Sequence, residues 1–222
     1  MKLAHPFFAS CFDFAVSPIQ VLVLEEPVFY RHLMEELLGQ ADGLNGQFCL
    51  YENGDGIGLE KHIECITDLF CLEPSQNKRL CTAAQKELTD IAAHEMQTEL
   101  YALYANIHSM LFELIRRSGM DLEFNELNDI SGLLKLYDIR PLVPNATLGE
   151  KLLLYMELCA KYLKKKLFVV FHLHTLMSQK EIAAFYRDAA YRKLSLLCIE
   201  TKDVTVAPPV RKVIVDGDMC EI

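Results

Sequence analysis

The chain has 222 residues, 51% of them apolar and 24% charged, with a formal net charge of −9. That is enough apolar material for one good core, or for a core domain with a smaller appendage, and it excludes the composition of a disordered chain. Net acidity weighs against unassisted binding to nucleic acid, because phosphates attract clustered Lys and Arg and repel an acidic surface.

At the start, Lys2 precedes an apolar stretch broken by Pro6 and Asp13. No run approaches the roughly 20 apolar residues of a membrane-spanning helix, so a cytoplasmic protein with no membrane contact is expected. Ile19 to Leu24 is a short apolar run of strand character. Glu25, Glu26 and Pro27 follow, then a helical pattern through Phe29, Leu33, Leu37 and Leu38 that Gly39 ends. Phe48 to Tyr51 reads as a second strand, Asn53 to Gly56 as a turn, and Ile63 to Thr67 as a third strand.

After Pro74, apolar residues from Leu88 through Leu103 and Ile107 to Leu114 recur at spacings of three and four, with no Pro or Gly before Gly119. One helix of about 30 residues is expected there, roughly 45 Å long. Its stripe is narrow and calls for a partner helix, either the shorter one around Glu126 to Tyr137 or one from a neighbouring subunit. A helix from about Leu148 to Lys166 comes next and ends in Lys161, Lys164, Lys165 and Lys166, which reads first as ordinary capping of the helix dipole. The apolar run Leu167 to Phe171, a helix Ser178 to Arg192 and the strand Leu194 to Ile199 argue for a parallel sheet with helical crossovers. Pro208-Pro209 precedes a last edge strand, Val213 to Val215. The fold class read from this order is α/β. A mostly parallel head (1–70 and 142–222) is interrupted by a helical leg (71–141).

The charge is uneven along the chain. From Lys151 to Lys193 there are nine basic residues against three acidic, and from Cys71 to Pro141 eleven acidic against seven basic. The eight cysteines contain no C-x-x-C pair and read as small reduced core residues.

Several motifs are weak or absent. No phosphate loop of the form G-x-x-x-x-G-K-[ST] exists, so the phosphates of a nucleotide have neither backbone cradle nor lysine. Gly54, Gly56 and Gly58 lack the setting of a dinucleotide fingerprint. His172 and His174 are expected to share a face near the end of their strand, where hydrogen bonding is a better reading than metal ligation. Asp121, Glu123, Asn125 and Glu126 place hard oxygen ligands of the kind calcium takes within six residues, but not in the spacing of an EF-hand. A solvated turn ahead of a capped helix explains the same run.

Five segments in order resemble one family. They are Val21 to Glu25, Ile66 to Leu69, Met120 to Glu126, Leu133 to Tyr137 and Tyr162 to Leu167. The family is the spacer-acquisition accessory protein of type II-A CRISPR systems. The resemblance implies a head similar to a phosphate-loop NTPase without its phosphate loop, a helical leg and no catalysis. It also implies a homotetrameric ring that binds double-stranded DNA ends without reading sequence. Bound Ca2+ is implied on Asp121, Glu123 and Glu126, with Asn125 where an acidic residue is common. Lys135 and Arg140 resemble family basic residues in placement, with Lys78, Arg79, Arg116 and Arg117 as further DNA contacts. The implied partners are linear DNA, the CRISPR adaptation integrase and the RNA-guided nuclease. A competing reading is a divalent-metal-dependent nucleotide or phosphoester hydrolase using Glu25 and Glu26.

Overall fold

The computed structural model describes residues 1–125, 129–142 and 146–222. In chain order the first elements are β1 (Lys2–Ala4), β2 (Phe12–Asp13), β3 (Ile19–Leu24), α1 (Pro27–Ala41), β4 (Cys49–Glu52), β5 (Asp55–Ile57), α2 (Leu59–His62) and β6 (Ile63–Ile66). After a 3-10 turn at Pro74–Gln76 come α3 (Lys78–Glu95), α4 (Gln97–Ser118) and α5 (Ser131–Leu136). The chain continues with α6 (Leu148–Leu163), β7 (Leu167–Phe171), α7 (Leu173–Leu176), α8 (Gln179–Tyr191), β8 (Ser195–Glu200) and β9 (Arg211–Val215). Two compact units result, Met1–Glu73 with Val143–Ile222, and Pro74–Leu142.

In the first unit, five parallel strands lie in the order β6-β7-β8-β3-β9. The fold is therefore α/β. β3, β7 and nearly all of β8 are buried residue after residue, as expected of strands covered on both faces. On one face Leu22, Leu24, Val169, Phe171, Leu197 and Ile199 pack with Leu33, Met34 and Leu37 of α1 and with the inner side of a second sheet. That sheet is antiparallel, in the order β2-β1-β4-β5, and sends in Leu3, Phe12 and Leu50. By strand alternation Val21, Val23, Phe168 and Val170 point to the opposite face. There α6 contributes Leu152, Met156 and Cys159, and α8 contributes Ile182, Phe185 and Ala189. Both helices start with a capping box, Thr147 with Glu150 and Ser178 with Glu181, which satisfies otherwise orphaned N–H groups.

The small antiparallel sheet was only half visible in the pattern. Phe48 to Tyr51 gave one strand, whereas β1, β2 and β5 are two or three residues long, too short for a period to register. The Asn53-Gly54 turn joins β4 to β5 with φ of 53° and 95°, the left-handed pair that a tight hairpin requires. All eight cysteines are free. Cys159 and Cys198 are core residues, but Cys49, Cys71 and Cys220 are exposed, contrary to the core reading; Cys49 sits on the outward side of the β4 pleat.

In the second unit the expected single helix is two. The chain breaks at Met96, whose φ of −127° and ψ of 36° leave the helical region, so α3 and α4 are separate rods. α3 also begins earlier than the apolar period suggested, because Asn77 caps it through Arg79 N and Leu80 N. α4 runs 22 residues, about 33 Å, and closes on Gly119 at φ 66°. The chain then returns along its own path. Phe124 packs on His108 and Phe112, and α5, only six residues, lies against α3, where Gln85 Nε2 donates to Ile139 O at 2.9 Å. The expected short partner helix thus packs on α3. Glu126, at its expected start, lies outside the described residues.

Candidate nucleic-acid interface

Six cations were expected to meet DNA, and all belong to the second unit. Lys78 and Arg79 are exposed and occupy the first two positions of α3. Partial positive charge already gathers at a helix N-terminus, so two cations there oppose the local field. Lys135 is exposed in the last turn of α5, where the dipole favours it. Arg140 is exposed and lies 3.5 Å from Asp138. Lys135 lies on α5, which packs on α3, and Arg140 follows Ile139, whose carbonyl oxygen accepts from Gln85 of α3.

Arg116 and Arg117 differ from them. Both are held by one carboxylate, Glu113, at 2.7 Å each, and the hydrogen bonds from Arg116 and Arg117 hold the Glu113 carboxyl below its usual range. One negative charge shared between two guanidiniums leaves this trio with one net positive charge. The pairs are exposed, so water and a competing anion can exchange with them.

The carboxylate run lies just past the C-cap of α4. Asp121, Glu123 and Asn125 are exposed, and they make no ion pair or hydrogen bond with other described residues. Among the described residues no three His, Cys, Asp or Glu side chains converge as a metal-binding group. The donors suit a hard cation in kind, since all are oxygens. Glu126, the fourth, lies outside the described residues.

The Lys161 to Lys166 run is largely committed inside the first unit. Lys165 is 5% exposed, with Nζ donating to Glu60 O at 2.9 Å and to Ile63 O, and sits 3.5 Å from Glu64 Oε2. Tyr155 donates to the other oxygen of Glu64 at 2.8 Å. Lys166 pairs with Glu52. Lys164 takes a left-handed C-cap with φ 56°. A run that reads as capping of the helix dipole is half a set of tethers holding β6 and β4 to the start of β7.

At the carboxyl edge of the parallel sheet, Glu26 caps α1. Its carboxylate accepts from Val28 N at 3.0 Å and Phe29 N at 2.5 Å, and these bonds hold it below the usual carboxylate range. The helix N-terminus that would face a phosphate in a nucleotide-binding sheet therefore already carries a carboxylate. Glu25 is exposed, and its N–H is tied to Val215 O.

His172 and His174 do not share a face, because the strand ends at Phe171 and His172 turns left-handed at φ 56°. His172 Nε2 meets Tyr30 Oη at 2.9 Å, and His174 Nε2 meets Tyr186 Oη at 2.7 Å. The hydrogen-bonding reading of both is borne out. Beside them Glu200, 2% exposed, accepts from His174 N at 2.9 Å. Burial pushes its carboxyl up to about 7, and burial pushes the His174 imidazole below its ordinary value. Sequence reasoning passed over Glu200. The signal was a charged residue directly continuing the apolar run Leu196 to Ile199 on a central strand.

A search of curated proteins gives no match. Among the described residues no helix is long and apolar enough to cross a membrane. Residues 90–219, from the last third of α3 to beyond β9, match the family model described as CRISPR-associated protein (Cas_Csn2). The match takes in α4, the return segment and most of the parallel sheet, so the chain belongs to this family of CRISPR-associated proteins, the accessory proteins of type II-A systems.

Proposed function

We propose that the protein is a non-catalytic clamp for double-stranded DNA ends that assists spacer acquisition, assembled as a homotetrameric ring and dependent on calcium. The observation that carries this reading is the placement of Lys78 and Arg79 at the N-terminus of α3. Cations set against a helix dipole destabilise their own helix, and they are accounted for if a polyanion neutralises them. Lys135 and Arg140 on the neighbouring α5 segment would extend the same contact, with Arg116 and Arg117 at the far end of α4. Contacts of this kind hold phosphates and do not read bases, so binding is independent of sequence.

Ring formation is supported by the outward stripe of α4. Met110 and Leu114 are 64% and 54% exposed at helical spacing, an apolar seam of the kind a second copy of the chain covers. Calcium would be held by Asp121, Glu123 and Asn125 with Glu126. When bound, it would offset acidic charge that repels both neighbouring protomers and phosphates. Assembly would gather the modest basic charge of four legs into one site. That would give a chain with a net charge of −9 a way to hold DNA. The adaptation integrase and the RNA-guided nuclease of the same system are the proposed partners.

The test is an anisotropy titration of a short linear duplex at several salt concentrations, with calcium and with a chelator. Affinity is expected to fall steeply with salt, with a logarithmic slope of about −0.9 for each phosphate contact. The Lys78→Glu, Arg79→Glu double variant should flatten that slope. Unchanged affinity and sedimentation in chelator would refute the calcium-dependent ring. Equal affinity for linear and closed circular DNA would refute end binding.

A further inference from the structure

The connection from β8 to β9 crosses over β3, which lies between them in the sheet. Parallel crossovers usually need a dozen or more residues and carry a helix. Here the described residues 201–210 form none. The sequence explains it. Thr201, Val204, Thr205, Val206 and Val210 are β-branched, and Pro208-Pro209 bars helical geometry before each ring.

An extended strap therefore stands where a helix would pack, and it is pinned at both ends. Lys212 Nζ donates to Asp203 Oδ1 at 2.5 Å and to Val204 O at 3.1 Å. At the other end Ser17 Oγ lies 2.9 Å from Pro209 O and 2.8 Å from Ile19 O. The middle of the strap bridges a space that no helix fills. Beneath it is a cavity of about 420 Å3, walled by Ser17 to Ile19, by Thr205 to Val210, and by Ile182, Ala183, Tyr186, Arg187 and Ala190 of α8.

We propose that this cavity binds a small molecule with an aromatic or branched aliphatic body and one anionic group. The volume lies within the range of about 300–1,000 Å3 typical of small-molecule sites. Ile182 and Tyr186 form a buried apolar floor, and the small side chains Ala183 and Ala190 leave the room above it. Among the described lining residues Arg187 alone is charged, and no carboxylate lines the cavity. Its guanidinium touches Asp188 through Nε only, at 3.3 Å, and its terminal NH2 groups have no partner among the described residues. Charge complementarity thus selects an anion at the rim, and the floor selects a ring or branched chain. Neighbouring residues on a helix do not face each other, so the contact with Asp188 is readily given up.

The test uses the full-length chain and two calorimetric probes, naphthalene-2-sulfonate and the uncharged 2-naphthol. The expected result is one saturable site for each, tighter for the sulfonate. Ala183→Leu fills the cavity and should weaken both probes by about tenfold or more without lowering the melting temperature. Ala190→Leu serves the same purpose if the first variant misfolds. Arg187→Leu should remove the preference for the sulfonate while leaving 2-naphthol binding unchanged. Absence of saturable binding up to about 1 mM, the weak end of measurable affinity, overturns the proposal. Affinity unchanged in the filled variants also overturns it, because the probes would then sit elsewhere, such as on the exposed apolar stripe of α4.

Discussion

The two units reach order by different routes. In the sheet-bearing unit the core is closed from both sides: β3 and β7 have every residue buried, and even the charged Lys165 and Glu200 are inside and bonded. In the helical unit, α4 has 22 residues and buries only Tyr104 among those described. A parallel sheet with helices on both faces completes itself within one chain, whereas a bent rod with a thin return segment leaves a face that needs covering. Substitutions in the first unit should therefore be read out as folding, and those in the second as assembly and binding.

The largest expected effect is on folding of the sheet-bearing unit. Phe168→Ala removes a side chain that is 1% exposed at the centre of the sheet and should destabilise the protein by about 3–5 kcal/mol in denaturant unfolding. Lys165→Met leaves Glu64 without its cation in a buried setting and should cost about 3 kcal/mol. A loss below about 1 kcal/mol would mean that the tether is looser than its distances indicate.

Glu200 sharpens the same contrast through pH. Its folded carboxyl titrates near 7, well above the ordinary 4.5, so the folded state holds its proton more tightly than the unfolded chain. The associated stability is fully present below about pH 4.5 and is lost as pH rises through 7, up to about 3 kcal/mol in all. Glu200→Gln, which stays neutral, should flatten the slope of unfolding free energy between pH 5 and 8. An unchanged slope would assign it to other groups. A smaller change is expected from Thr147→Ala, which removes the capping hydroxyl of α6 at a cost of about 1 kcal/mol. The opposite pattern is expected in the helical unit. Met110→Ser should alter monomer stability by no more than about 0.5 kcal/mol, yet lower the sedimentation coefficient if that face joins protomers.

What the sequence disclosed follows from period and length. The buried strands β3, β7 and β8 announced themselves as largely apolar runs, unbroken in β7, and the β8–β9 connection as a proline-bearing stretch. The second sheet did not, because β1 and β2 gain their meaning only from partners far along the chain, with Lys2 opposite Tyr51 and Asp13. Met96 hid the helix break for a related reason: methionine is a good helix former, so nothing local marks the interruption. Lys78, Arg79, Lys135 and Arg140 are exposed. The fate of Lys165 depended on Glu60, Ile63 and Glu64, about a hundred residues earlier, and no local pattern carries that information.

The interruption at Met96 divides the labour of the leg. An unbroken rod would impose one orientation on both its halves, so any contact that satisfied one would dictate the aim of the other. Severed there, α3 settles against α5 within its own chain while α4 leaves Met110 and Leu114 of its stripe exposed. A single non-helical residue thus lets two successive helices of one segment take separate directions, each set by its own contacts.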